Sequence, residues 1–159
     1  MHVDKDTFLR VIEATPFVSI DLIIRNAHRQ VLLGYRCNRP AQHCWFVPGG
    51  RIRKNERTQD ALQRIAQAEL GIPARQGKLL GVFDHIYDDN YFGVAGIGTH
   101  YVVCAYQFEV GADTAFRQDE QHARLKWWSV EELLASREVH DNTKLYFRDV
   151  PDNGFRCGS

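Results

Sequence analysis

The chain has 159 residues, of which 44% are apolar and 25% charged, with 20 basic side chains against 20 acidic ones. That length gives one domain with a real core and not two, so residues 1–159 are read as a single unit with a frayed tail over about 148–159. The charge balance excludes a nucleic-acid or membrane partner held by bulk charge, although a local basic pocket remains compatible with it.

Residues 1–6 carry no basic stretch leading into an apolar one, so no export signal is read there. Asp4 or Asp6 is placed to cap a helix over 7–14, which Pro16 ends. Residues 17–24 form a β-rich run of period two, with Val18, Ile20, Leu22 and Ile24 on one face and Ser19 and Asp21 on the other. Ser19, Asp21 and Arg25 also interrupt it well before membrane-spanning length. A turn at 26–29 leads to a second strand over 31–36. A loop at 38–42 follows, and a short strand over 45–47 runs into Pro48, Gly49 and Gly50. Residues 58–70 read as a helix with Thr58 as N-cap and Gly71 as its stop. Strands are expected over 79–87 and 99–110, separated by an aromatic, glycine-containing segment at 90–98, and again at 125–128. Ser129 caps a further helix, and a last helical turn is expected over 142–147. This order fits an α/β or α+β fold, a mixed β-sheet sandwiched between helices. Cys37, Cys44, Cys104 and Cys157 are scattered without a C-x-x-C pair, as expected of free thiols in a reducing cytoplasm.

Gly50, Glu56, Arg64, Glu69, Gly71 and Ile72 resemble, at every spacing, the Nudix box, a loop–helix–loop of pattern G-x5-E-x7-R-E-U-x-E-E-x-G-U, where U is bulky and aliphatic. Ile65 and Ala68 stand where that pattern has two more glutamates. Positions 65, 68 and 69 are read as facing the same way on the helix. The stripe then keeps one carboxylate, Glu69, and supplies charge for about one cation. Mg²⁺ requires octahedral oxygen donors and completes its shell with phosphates and water. In the family the pair matching Glu56 and Arg64 braces the loop–helix–loop, so Arg64 is read as a scaffold residue or a phosphate contact.

The resemblance extends over roughly 5–147 and points to the GDP-mannose mannosyl hydrolase branch of the Nudix family. The blocks that carry it are TPFVSID (15–21), NRPAQ (38–42), WFVPGGR (45–51), AELG (68–71), HIYDDN (85–90), THYV (99–102) and DEQH (119–122). That branch lacks the same two acids. The resemblance implies a Nudix fold, a homodimer using the N-terminal strand and the aromatic loop, and hydrolysis of GDP-mannose, and also GDP-glucose, to GDP and free sugar. Water attacks the anomeric carbon and the sugar leaves with inversion. Matched position by position, the Gly49 carbonyl, Glu69 and Gln121 hold Mg²⁺, with Mn²⁺ as a substitute, and His122 is the general base. Asp21, His85, Arg36, Arg51 and Tyr101 surround the diphosphate and sugar.

Elementary chemistry supports those residue types. A carboxylate in an apolar strand is costly unless it is paired or lines a polar site, which marks Asp21. Two guanidinium groups suit a diphosphate, and Arg36 and Arg51 are better placed for this than Arg39. Histidine has the pKa a general base needs near neutrality. His28, His43, His100 and His140 are read as structural. Two alternatives stay open from the sequence: a pyrophosphohydrolase that cuts the P–O–P bridge of a nucleotide sugar, and a nucleotide-sugar binding module without turnover.

Overall fold

In the computed structural model, which describes residues 3–74, 77–116 and 124–148, helix α1 (Lys5–Ala14) opens with the Thr7 amide donating to the Asp4 side chain at 3.0 Å. Asp4 is thus the cap, and the helix starts two residues earlier than the sequence suggests. Pro16 lacks the amide needed to continue it, and the chain enters β1 (Phe17–Arg25). The sheet has the order β3-β2-β1-β6-β5, with β2 at Val31–Arg36, β3 at Cys44–Phe46, β5 at Lys78–Tyr87 and β6 at Thr99–Glu109. β1 and β6 run parallel, while β1/β2, β2/β3 and β5/β6 are antiparallel. The sheet is therefore mixed, as expected. Two short strands join it: β4 (Gly49–Arg51) pairs with β1 and β7 (Leu125–Trp128) pairs with β2, both antiparallel.

β4 corrects the reading of Pro48, Gly49 and Gly50 as the end of a strand. Glycine has low strand propensity, yet pairing with β1 outweighs it. The helix α2 (Thr58–Leu70) has Arg57, not Thr58, as N-cap, without a side-chain capping bond. Gly71 ends it at φ 68°, its amide reaching back to the Ala66 and Gln67 carbonyls; that left-handed geometry favours glycine. α3 (Val130–Ala135) opens on a full capping box between Ser129 and Glu132.

Helices cover both faces of the sheet. Ile20, Leu22 and Ile24 pack against Ala61, Leu62, Ile65, Ala66 and Leu70 of α2. On the other face Ile23 joins Trp45, Phe46, Ala105, Trp128 and Leu133. β1 is buried on both sides, which a one-faced alternation does not convey; only Val18 among its aliphatics is exposed.

Two further features position the site. Residues 138–140 lie along β3: Trp45 N–H donates to the Glu138 carbonyl at 2.8 Å and His140 N–H to the Trp45 carbonyl at 3.1 Å, forming a parallel bridge at Val139. This leads into α4 (Asp141–Lys144), capped by the His140 ring. The loop after β5 is organised by Asn90, which is fully buried and donates to the carbonyls of Val94 and Ile97 while accepting from the amides of Phe92 and Val94. Its Phe92 then packs edge-on against Phe8 of α1, 5.4 Å between centroids. Cys37, Cys44 and Cys104 are free thiols. Among the described residues, no helix is long and apolar enough to cross a membrane.

Candidate active site

Strand alternation places Phe17, Ser19, Asp21 and Ile23 on one face of β1. Through the register, Asp21 lies opposite Gly49 of β4 and Ala105 of β6, and Phe17 lies opposite Tyr101, which in turn faces His85 of β5. One side of the sheet thus gathers Asp21, Tyr101, His85 and Tyr87. Asp21 is 7% exposed and His85 only 2%. The turn after α4 delivers their shared partner. The Tyr146 hydroxyl donates to Asp21 Oδ2 at 2.5 Å and lies 3.1 Å from His85 Nε2. Position 49 has to be glycine, because a Cβ there would fall 2.5 Å from Asp21 Oδ1 and 2.5 Å from the Ile20 carbonyl.

Burial dominates the electrostatics. It pushes the Asp21 carboxyl up to about 7, although the Tyr146 hydrogen bond and the Arg36 charge pull it down. Burial also pushes the His85 imidazole down to about 4, with His140 acting in the same direction. The Tyr87, Tyr101 and Tyr146 phenols are all raised by burial. Arg36 sits over the Phe46 ring at 5.5 Å, and its charge reaches Asp21, Tyr87, Tyr101 and His140. Arg51 stacks on Phe17 at 4.6 Å and on Phe8 at 5.5 Å, and its charge lowers Tyr101. Two guanidinium groups therefore act on one buried polar face.

A stability consequence follows for Asp21. In the folded chain its carboxyl holds a proton up to about 7, whereas the unfolded chain releases it near about 4. Stability is therefore lost as pH rises through that window, by about 1.4 kcal/mol per unit at most. Asp21→Asn, which retains an acceptor for Tyr146, should gain stability relative to wild type as pH rises from 5 to 8 in denaturant titrations. Parallel curves for the two proteins would remove the argument.

On the other side of Gly49 lies the loop–helix–loop. Arg64 donates from Nε to Glu56 Oε1 at 2.6 Å and from Nη2 to Glu56 Oε2 and the Arg51 carbonyl, each at 2.8 Å. The Arg53 amide also donates to Glu56 Oε2 at 2.9 Å. The Arg64 hydrogen bond, followed by that of the Arg53 amide, holds the Glu56 carboxyl down to about 2, so the brace stays ionised at any ordinary pH. Of the two roles the sequence allows Arg64, the brace is the one present in this structure.

The stripe on α2 needs correction. Ile65 is 1% exposed and packs on Gly50, where a Cβ would lie 3.2 Å from Ile65 Cγ1, whereas Ala68 is exposed. At about 100° per residue, 68 and 69 flank 65 on opposite sides, and the burial shows that the flank of 68 is the one facing solvent. The two missing acids are thus replaced by a core residue and a solvent-facing methyl. Glu69 is half-buried near the end of α2, close enough for its charge to raise the Arg64 pKa.

Asp21, His85, Tyr101, Arg36 and Arg51 come together, and Gly49 joins them to the α2 side that carries Glu69. Gln121 and His122 lie outside the described residues. Three contributors escaped the sequence reading. Tyr146 looks there like an apolar helix position, and Tyr87 like a strand aromatic. His140, read as structural, does cap α4, but its ring also lies 5.6 Å from Tyr87 and 5.4 Å from Phe46. The bracing pair and the glycine-flanked helix beside a polar sheet face define a domain of the Nudix class. The NUDIX domain model matches residues 15–148, and the chain belongs to the Nudix hydrolase family.

The low-salt glycan biosynthesis protein Agl8 of Haloferax volcanii is 41% identical over 126 residues, spanning 79% of this chain and 78% of that protein. The crystal structure of a MutT NUDIX hydrolase from Burkholderia pseudomallei superposes with a TM-score of 0.70 at 26% identity, covering 86% of this chain and 99% of that one. The NUDIX domain of Shewanella oneidensis NrtR, complexed with ADP ribose, shares the fold with a TM-score of 0.64 at 19% identity, covering 91% and 96%.

Proposed function

We infer that the protein hydrolyses a GDP-sugar, GDP-mannose first and GDP-glucose second, to GDP and the free sugar by attack of water at the anomeric carbon with inversion. The observation that carries this reading is the division of the site. A helix whose stripe of Ile65, Ala68 and Glu69 keeps one carboxylate, the half-buried Glu69, adjoins a buried polar face of Asp21, His85 and Tyr101 suited to hydroxyl groups. Attack on phosphorus would be better served by an acid-rich metal cluster, whereas on this stripe Ile65 is a core residue and Ala68 a solvent-facing methyl. The relative from Haloferax volcanii, whose name assigns it to glycan biosynthesis, favours a sugar-bearing substrate as well.

The donors that the resemblance names fit a hard cation. The Gly49 carbonyl, the Glu69 carboxylate and the Gln121 amide oxygen would each offer an oxygen to it, with diphosphate and water supplying the rest. Mg²⁺, or Mn²⁺ in its place, would neutralise the leaving diphosphate. Arg36 and Arg51 would add charge to the same group. His122 would take the proton of the attacking water as the new C–O bond forms and the old one breaks, its electron pair departing with GDP. A homodimer and a reducing cytoplasmic setting belong to the same proposal; the exposed aliphatics Val82 and Ile86 on edge strand β5 favour a second copy.

Hydrolysis of GDP-mannose with Mg²⁺ in ¹⁸O-water tests the reading. Label should appear in mannose, with the β-anomer first by NMR. Label in a phosphate product would overturn it in favour of P–O–P cleavage, and tight binding without sugar release would leave a binding module.

A further inference from the structure

A phenol has one proton to give, and here two acceptor-capable neighbours compete for it. The Tyr146 hydroxyl lies 2.5 Å from Asp21 Oδ2 and 3.1 Å from His85 Nε2. In the shorter contact the hydroxyl is the donor, so its proton points to Asp21. Towards His85 the hydroxyl then has only lone pairs. Nε2 must supply the hydrogen, and in a neutral imidazole that leaves the lone pair on Nδ1. Burial keeps this imidazole neutral, pushing it down to about 4.

The other oxygen of Asp21 is kept clear by the absence of a side chain at Gly49, since a Cβ there would stand 2.5 Å from Oδ1. The chain of bonds runs from His85 Nε2–H to Tyr146 and from Tyr146 to Asp21. It ends in an acceptor at Nδ1 of His85 and, when the Asp21 carboxyl is ionised, in a second at its Oδ1. Groups that donate, such as the hydroxyls of a sugar, satisfy both; an ether or a deoxy position satisfies neither and leaves a buried acceptor unpaired.

We propose that Tyr146 is a positioning residue, whose hydroxyl sets His85 in the Nε2–H tautomer and holds Asp21 as an acceptor, so that the pocket selects a ligand by its free hydroxyl groups. This rests on the reading of the site as a GDP-sugar hydrolase. It adds the residue that decides which way the hydrogen bonds run.

The test begins with the wild-type protein. In ¹⁵N-histidine-labelled enzyme, His85 should show a protonated, pyrrole-type Nε2 and an unprotonated, pyridine-type Nδ1. The opposite tautomer overturns the proposal, whatever any variant does. Tyr146→Phe keeps the ring and removes only the oxygen. It should abolish the tautomer preference and lower kcat/KM for GDP-mannose by about 10–100-fold, while the affinity for GDP with Mg²⁺ stays as in wild type. Unchanged kcat/KM, or GDP affinity falling as far as turnover, would count against a positioning role. Should wild type release no sugar, the functional reading fails, and the tautomer measurement still decides the role of Tyr146. It also decides if the Phe variant does not fold.

Discussion

Glu69→Gln should cut Mg²⁺-dependent turnover by on the order of 10²-fold or more while leaving the fold as stable as before. The substitution keeps the shape of the side chain and removes its charge. Ile65 and Ala66 continue to pack in the core, and Leu70 is fully buried one residue away, so α2 keeps the contacts that dock it. Glu69 stands near the C-terminal end of the helix, where a negative charge is disfavoured by about 0.3–1 kcal/mol. Its loss therefore costs little stability from the dipole. A thermal unfolding curve that stays put or rises slightly, beside a rate that needs far more Mg²⁺, separates a metal ligand from a structural acid. Wild-type rate and wild-type Mg²⁺ half-saturation in the variant would end the assignment.

His122→Ala should lower kcat by about 10²–10⁴-fold with the Mg²⁺ dependence retained. The contrast with Glu69→Gln matters more than either magnitude, because on the proposed site one would remove charge from the metal shell and the other a proton acceptor. The buried His85 is poorly suited to take over. Burial pushes His85 down to about 4, which leaves it neutral but a weak base, and a general base works best when its pKa lies near the operating pH. The acid limb of the kcat–pH profile that a histidine base would give should vanish in the variant. A variant with wild-type kcat and the same acid limb would place the base elsewhere.

Much of the fold is written locally. The β-branched run of β1, the glycine stop of α2 and the Ser129 capping box each announce themselves through short-range chemistry, and the structure has them where that chemistry puts them. β4 does not, because two consecutive glycines carry no strand signal and form a strand only through their pairing with Ser19–Asp21 residues of β1. The orientation of Ile65 and Ala68 was misread for a similar reason. Their roughly shared spacing is visible, but which side of the helix meets Gly50 is a tertiary fact. Asp21 stood out as a carboxylate in an apolar strand, and its burial explains why. Tyr146 could not stand out, since a phenol near the end of an apolar turn looks like any packed aromatic until the sheet is built beneath it.

Asp21 and Tyr146 are separated by 125 positions in the chain. Ribosomes deliver a domain from its N-terminal end at about 5–20 residues per second, so the first strand and the bracing helix are available long before the tyrosine emerges. Until then the β1 carboxylate lacks the donor it has in the folded protein, and the polar face around it is unfinished. On the proposed function, a growing chain would expose its diphosphate side without a working sugar side, and hydrolysis would begin only once the turn carrying Tyr146 had reached Asp21.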